Sequence, residues 1–145
     1  IRFTFAGNGS LENWLKDYFR ADSRVTITKY LPHESPDIHL RHQIAVVPSF
    51  ASEGTTLSVA EAMGAGCAVI ATPIGGITNM IIDRYNGLFF SPDEESLQKC
   101  LTDLINTKQL RMTLGHRGYE TAEHAFSIDR WKEDWKNVLN TVAEK

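Results

Sequence analysis

Short apolar runs alternate with amphipathic stretches along the first ninety residues of the chain. Five runs are rich in β-branched or aromatic residues and are bounded by Gly, Pro, Ser or Asn, which predicts strands. They cover residues 1–6, 24–28, 44–47, 67–72 and 87–90. The stretches between them predict helices over residues 11–20 and 57–65, and a short helix near residues 77–82. Strands that alternate with helices indicate βαβ units and a mainly parallel sheet.

The pattern changes to helices alone after residue 93. Residues 94–106 carry their leucines and isoleucine on one stripe, and Asp93 stands where an N-cap is expected. A second helix is predicted over residues 109–124. A third begins near residue 127 and carries two tryptophans, Trp131 and Trp135, which we expect to pack in a core. The fold class is therefore α/β, a Rossmann-like three-layer domain with C-terminal helices.

Composition narrows the class of protein. The chain has 145 residues, 42% of them hydrophobic, which suits one globular domain with its own core. A net charge of -3 with interspersed signs offers no basic face, so we expect no nucleic-acid partner. Two cysteines are too few for a disulfide scaffold and favour a reducing cytosol. Cys67 lies in an apolar run and is expected to be a core residue.

The segment from residue 48 to residue 66 carries the candidate chemistry. A buried strand ends at Pro48, a loop follows, and a helix begins near Thr56. Open α/β sheets bind ligands at this end of their strands. The helix start offers four backbone amides, those of Gly54, Thr55, Thr56 and Leu57. Amides at the positive end of a helix dipole favour the binding of phosphate.

Two carboxylates flank this predicted phosphate site. Glu61 lies one to two turns into the helix, between alanines, where it reaches solvent, pairs with a base or accepts hydrogen bonds from a ligand. A ribose attached to the phosphate would present its hydroxyl groups at that distance. Glu53 lies in the loop, on the side where a sugar would extend. An exposed helix glutamate and a capping loop acid are the alternatives for the two residues.

These residues also carry a resemblance to a known family. The spacing of Glu53 and Glu61, with Gly54 and Gly66, resembles the signature of the GT-B-fold, family 4 (group 1) glycosyltransferases. Residues 3–9 resemble that family's strand and Gly-x-Gly turn, and residues 85–90 its later strand with an Asn-Gly turn. Residues 126–131 resemble the entry to its terminal helix. The resemblance thus extends over nearly the whole chain.

The resemblance implies a role for each candidate residue. Residues 1–145 would be the donor-binding domain, half of a GT-B fold, of a longer enzyme whose N-terminal acceptor domain is missing. Glu53 would be the catalytic residue beside the donor sugar, and Glu61 would bind the ribose hydroxyl groups. The amides of residues 54–57 would bind the diphosphate. A turn formed by Tyr30, Leu31 and Pro32 would contact the nucleobase through its main chain.

The implied reaction is sugar transfer from a nucleotide-sugar with retention of anomeric configuration. By family preference the donor is a UDP-sugar, and the acceptor is a saccharide or a lipid-linked saccharide in bacterial lipopolysaccharide O-antigen or capsule synthesis. No cofactor and no metal are expected. The enzyme would be cytoplasmic, with peripheral attachment to the inner face of the membrane left open. The isolated chain is expected to bind nucleotide weakly and to transfer nothing, because the family's diphosphate-binding Arg and Lys would lie upstream of residue 1.

Several alternatives remain open from the sequence. A GT-B phosphorylase, a sugar-nucleotide epimerase and a non-catalytic nucleotide-binding domain share parts of the same pattern. His39 and His42 lie three residues apart, but no third ligand is near them in the sequence, so no metal site is expected there. Gly75 and Gly76 form either a turn near the cleft or a binding site.

Overall fold

Two compact units make up the chain, Ile1–Ile38 and His39–Lys145. The computed structural model describes residues 1–51 and 53–143. Unit 1 begins with three regular elements, β1 (Phe3–Ala6), α1 (Glu12–Tyr18) and β2 (Val25–Thr28). The two strands pair in parallel, with Phe3 opposite Val25, so α1 is the crossover helix of a βαβ unit. The strands are those that the sequence predicts, each shorter than expected at its N-terminal end.

A short helical region follows β2 that the sequence analysis did not predict. A 3-10 helix covers Pro32–Glu34, and α2 (Ser35–Leu40) follows it in the sequence. Proline is favoured at the first position of a helix, since its missing N–H has no helical partner there. The Glu34 carboxylate accepts a hydrogen bond from the Leu31 amide at 2.7 Å and closes this helix start.

Unit 2 contains a three-stranded parallel sheet and most of the helices. Its strands are β3 (Ile44–Val47), β4 (Ala68–Ala71) and β5 (Leu88–Phe89), in the order β3-β4-β5. The helices are α3 (Leu57–Gly64), α4 (Glu94–Asn106), α5 (Lys108–Ala125) and α6 (Ile128–Ala143), with a 3-10 helix at Gly75–Asn79. The prediction of parallel strands is confirmed, and the strands lie in two sheets.

Strand β4 occupies the centre of unit 2 and is covered on both faces. Ala68 and Ile70 belong to a core cluster with Leu88, Leu104 and Leu114. Val69 and Ala71 point to the opposite face and join a second cluster around α3. All four residues of the strand are fully buried. Alternate residues of a strand face opposite sides, so an unbroken apolar run fits a strand between two helical layers. This three-layer arrangement is the predicted one.

Helix α5 approaches the sheet through small residues. A Cβ atom placed on Gly115 would overlap the carbonyl oxygen of Gly66, which precedes β4. A Cβ atom on Gly118 would lie 3.3 Å from the carbonyl oxygen of Asn86 and 3.4 Å from the side chain of Met63. The absence of side chains at these two positions allows α5 to pack directly against the chain that leads into β4.

The prediction for the last helix is correct in its location and wrong in its packing. Ser127 caps α6, with its hydroxyl oxygen 3.3 Å from the Arg130 amide. None of the residues of α6 is buried, and Trp131 and Trp135 are 57% and 50% exposed. Their rings contact each other, with centroids 6.1 Å apart, and lie outside both core clusters. The apolar stripe is therefore real, but a stripe indicates only which face a helix can bury.

Membrane insertion through a helix is not indicated within the described part of the chain. No helix there combines the length and the apolar character that crossing a bilayer requires.

We predict that Gly115→Ala lowers the free energy of unfolding. Alanine favours a helix interior by about 1 kcal/mol over glycine. Overpacking typically costs about 1–3 kcal/mol, and here the new methyl group meets backbone, which cannot move aside easily. We therefore expect a net loss, measured as a lower urea midpoint by circular dichroism.

Gly64→Ala is the matched control for this prediction. Its added Cβ would meet only the Cβ of Ala122, at 4.0 Å, which is an ordinary contact. Gly64 also closes helix α3, where alanine is tolerated, so stability should be equal or slightly higher. A midpoint for Gly115→Ala at or above that of Gly64→Ala would contradict the proposed close approach.

Candidate functional site

The loop that follows β3 holds the Glu53 carboxylate between two hydroxyl groups. The Ser49 hydroxyl donates to Oε1 of Glu53 at 2.6 Å, and the Thr56 hydroxyl donates to Oε2 at 3.3 Å. Glu53 is partly buried, whereas Gly54 and Thr55 are exposed. A carboxylate offers about four acceptor positions. The two hydroxyl groups therefore orient the carboxylate and leave acceptor capacity for a ligand.

Helix α3 begins without a side-chain cap. Thr56 is its N-cap residue, with the extended backbone expected there, φ -85° and ψ 96°. The Thr56 hydroxyl donates to Glu53 and makes no capping hydrogen bond to the helix. The Thr56 side chain, which could accept a hydrogen bond from an amide of the first turn, thus binds the Glu53 carboxylate instead. Thr56 therefore places no side-chain acceptor on the amides of the first turn, where an anion could bind, and Leu57 is 68% exposed beside them.

Glu61 lies one turn along α3 from Leu57. At 1.5 Å per residue the two positions are about 6 Å apart along the axis. Glu61 is partly buried, and its neighbours Ala62 and Met63 are fully buried. Burial lowers the pKa of His39 from its ordinary value, and the negative charge of Glu61 acts in the opposite direction by raising it. One electrostatic neighbour of Glu61 is thus His39, for which the sequence raised only the question of metal binding.

A second loop, which follows β4, lies against the first. The Thr72 hydroxyl donates to the Ser49 carbonyl at 2.6 Å, and the Gly76 amide donates to the Glu53 carbonyl at 2.9 Å. Because β3 and β4 are paired in parallel, their carboxyl ends meet at one edge of the sheet. Gly75 and Gly76, which the sequence left open between a turn and a binding site, form a turn in contact with Glu53.

The predicted nucleobase residues, Tyr30, Leu31 and Pro32, belong to unit 1. Tyr30 is partly buried, and Leu31 is 58% exposed. The Leu31 amide donates to the Glu34 carboxylate, and the Leu31 carbonyl accepts from the Glu34 amide at 2.8 Å. Pro32 has no amide hydrogen to donate. The main-chain polar groups of Leu31 are therefore already engaged in the start of the 3-10 helix.

Cys67 is a core residue that lies beside the backbone of the histidine pair. The thiol of Cys67 donates to the carbonyls of His39 and His42, each at 3.3 Å. Cys67 is fully buried, which raises its pKa to about 11, so it is a protonated core residue as predicted. Within residues 1–51 and 53–143, no three His, Cys, Asp or Glu side chains are grouped to hold a metal ion.

Comparison with known proteins gives a consistent family. The family described as glycosyl transferases group 1 matches residues 1–107 of the chain. The lipopolysaccharide 1,2-N-acetylglucosaminetransferase of Salmonella typhimurium is 31% identical over 116 residues. That match covers 77% of this chain and 29% of the Salmonella protein. The chain thus spans less than a third of this curated relative.

Solved structures show the same fold. The C-terminal domain of a group 1 glycosyl transferase, LpcC from Francisella tularensis, superposes with a TM-score of 0.67 at 28% identity, over 80% of this chain and 60% of that one. Anabaena HepE in complex with UDP superposes with a TM-score of 0.84 at 18% identity, over 97% of this chain and 41% of that one. Parallel strands between helical layers, as found here, form the Rossmann-like half of a GT-B structure. The chain therefore belongs to the group 1 glycosyl transferases and has the fold of their C-terminal domain.

Proposed function

We propose that this chain binds the nucleotide-sugar donor of a retaining glycosyltransferase at the carboxyl end of β3. Glu53 contacts the donor sugar, the amides of residues 54–57 bind the diphosphate, and Glu61 binds the ribose hydroxyl groups. One observation supports this most strongly. A carboxylate held by Ser49 and Thr56 lies directly beside a helix start that has no side-chain cap.

Glu53 acts on the sugar as a fixed negative charge. Sugar transfer passes through a state that resembles an oxocarbenium ion, with positive charge near the anomeric carbon. A carboxylate already oriented by two hydroxyl groups needs little rearrangement to stabilise that charge. Its remaining acceptor positions would bind hydroxyl groups of the sugar and hold it in place. In this proposal Glu53 positions the sugar and stabilises charge, without forming a covalent intermediate.

The amides at the start of α3 act on the leaving group. Negative charge grows on the diphosphate as its bond to the sugar breaks. Donors aimed at that charge, at the positive end of a helix dipole, bind the transition state more tightly than the ground state. Gly54 is exposed, and a Cβ atom there would meet nothing within 4 Å, so the surface above this backbone is open to a ligand.

Glu61 lies at the right distance for the next part of the donor. A separation of about 6 Å along α3 from Leu57 corresponds to the step from a diphosphate to its ribose. A carboxylate can accept hydrogen bonds from two adjacent hydroxyl groups at once. By the family resemblance, the main chain of Tyr30, Leu31 and Pro32 would contact the nucleobase, and the Leu31 carbonyl is able to accept a second hydrogen bond.

The donor and acceptor classes are proposed from the relatives. HepE is found in complex with UDP, which favours a UDP-sugar as donor here. The Salmonella relative transfers N-acetylglucosamine in lipopolysaccharide, which favours a saccharide or lipid-linked acceptor in cell-surface polysaccharide synthesis. Such an enzyme would work in the cytoplasm, in peripheral contact with the inner face of the membrane. Acceptor recognition would belong to an N-terminal domain outside these 145 residues.

The ribose assignment predicts that Glu61→Ala weakens UDP binding. Hydrogen bonds to a charged group contribute about 1.5–3 kcal/mol, so the dissociation constant should rise roughly ten- to hundredfold in calorimetry. Glu123→Ala removes the same charge from an exposed position on α5 and should bind as wild type. The wild-type preference for UDP over 2′-deoxy-UDP should also shrink in Glu61→Ala. Equal affinities of wild type and Glu61→Ala for UDP would refute the assignment.

The electrostatic coupling of Glu61 to His39 predicts a second effect. Glu61→Gln removes the charge that raises the pKa of His39, so this pKa should fall further below its ordinary value of 6.5. The measurement is an NMR titration of the His39 ring, assigned with His39→Asn. Glu123→Gln is the control and should leave the pKa of His39 unchanged.

The lowered pKa of His39 also makes the free energy of unfolding depend on pH. A histidine with a lowered folded pKa binds protons more readily when unfolded, so stability is lost as pH falls below about 6.5. Glu61→Gln should increase this loss, seen in urea midpoints at pH 7 and pH 5. A His39 pKa that rises or stays constant in Glu61→Gln would show that the two side chains are not coupled.

The domain assignment predicts binding without transfer. The 145-residue chain should bind UDP weakly by NMR and should release no UDP from UDP-glucose or UDP-N-acetylglucosamine, with or without oligosaccharide acceptors. In this proposal, the acceptor domain and the family's diphosphate-binding Arg and Lys would lie outside these 145 residues. Measurable transfer to an acceptor would contradict the prediction. Release of monosaccharide without an acceptor would favour an epimerase instead.

A further inference from the structure

Gly75 and Gly76 form the first turn of the 3-10 helix Gly75–Asn79, and this glycine turn lies directly against the backbone of Glu53 and Gly54. The Gly76 amide donates to the Glu53 carbonyl at 2.9 Å. The Thr78 hydroxyl donates to the Gly75 carbonyl at 2.8 Å, a hydrogen bond within the same 3-10 helix. Contact is thus from backbone to backbone, between two loops that lie more than twenty residues apart in the sequence.

Only glycine fits at these two positions. A Cβ atom on Gly75 would overlap the Glu53 carbonyl oxygen and lie 3.0 Å from the Glu53 amide nitrogen. A Cβ atom on Gly76 would overlap the Gly54 carbonyl oxygen and lie 2.7 Å from the Gly54 carbonyl carbon. Gly75 also has φ +51°, a conformation that glycine adopts at little cost. Any larger residue would displace the Glu53–Gly54 backbone.

The orientation of these carbonyl groups determines the orientation of two amides. A trans peptide is planar, so its N–H points opposite to its C=O. The carbonyls of Glu53 and Gly54 both face the glycine turn. The N–H groups of the same two peptides belong to Gly54 and Thr55, and they therefore point away from the turn. Rotation of either peptide would bring its N–H towards the turn and remove it from any ligand on the exposed side.

We propose that Gly75 and Gly76 are positioning residues for the diphosphate. They hold the peptides 53–54 and 54–55 in the one orientation that presents the Gly54 and Thr55 amides to a ligand. This inference rests on the proposed function, which assigns those amides to the diphosphate. The new element is the role of the second loop. Its two glycines set the direction of the Gly54 and Thr55 N–H groups and do not themselves contact the nucleotide-sugar.

The test compares how Gly76→Ala changes binding of UDP and of uridine, both followed by NMR titration of this chain. Wild type should bind UDP more tightly than uridine, because the amides contribute only to the diphosphate. In Gly76→Ala the affinity for UDP should fall about tenfold or more, as expected for lost hydrogen bonds to a charged group. Uridine affinity should change little. A turn with a purely structural role would lower both affinities together.

Gly64→Ala provides the matched control in the neighbouring helix α3. It adds the same methyl group, which makes only an ordinary contact at 4.0 Å, and should retain the wild-type preference for UDP over uridine. A Gly76→Ala protein that is folded and keeps the full preference would overturn this inference and leave the proposed function intact. A wild-type protein with no preference for UDP over uridine would overturn both.

A second measurement on the wild-type protein decides the case if Gly76→Ala does not fold. The Gly76 amide should exchange slowly with solvent deuterium, because it donates to the Glu53 carbonyl. UDP should shift the amide resonances of Gly54 and Thr55, whereas uridine should leave them in place. Both results together support the positioning role. Rapid exchange of the Gly76 amide, or equal shifts with uridine, would overturn it.

Discussion

The parallel pairing of β3 with β4 is the constraint on which the candidate site depends. It places the loop after each strand at the same edge of the sheet, where Thr72 contacts Ser49 and Gly76 contacts Glu53. The pairing is shielded from solvent on the β4 side, because every residue of β4 is buried between two core clusters. Without it, the loop that carries Glu53 would have support only from its own residues and from α3.

The loop after β3 orients the Glu53 carboxylate at a cost to the stability of helix α3. A capping side chain typically stabilises a helix by about 1 kcal/mol. Thr56 occupies the capping position of α3, but its hydroxyl donates to Glu53. This arrangement has two effects that would favour a binding site: the Glu53 carboxylate is oriented without a ligand, and the Thr56 side chain does not cap the amides of the first turn. Preorganisation of this kind is common where an active site must stabilise charge.

The sequence predicted the elements well and the contacts between them poorly. The strand at residues 44–47 and the helix at residues 94–106 have the predicted bounds, because a buried run and an amphipathic stripe are local patterns. The placement of Glu53 in a loop and of Glu61 on a helix follows from the same patterns. In contrast, the contact of Gly76 with Glu53 depends on which strands are neighbours, and no local pattern contains that information.

The positions of this site that tolerate substitution least are those that determine the path of the backbone. In the proposed function the diphosphate binds main-chain amides, and every residue except proline supplies one. Thr55 and Leu57 could therefore be replaced without loss of a donor, whereas the path of the chain cannot change. That path depends on Gly75 and Gly76, where a Cβ atom would overlap the backbone of Glu53 or Gly54. Sites built from amides thus place their strictest requirements on residues that contribute no functional group.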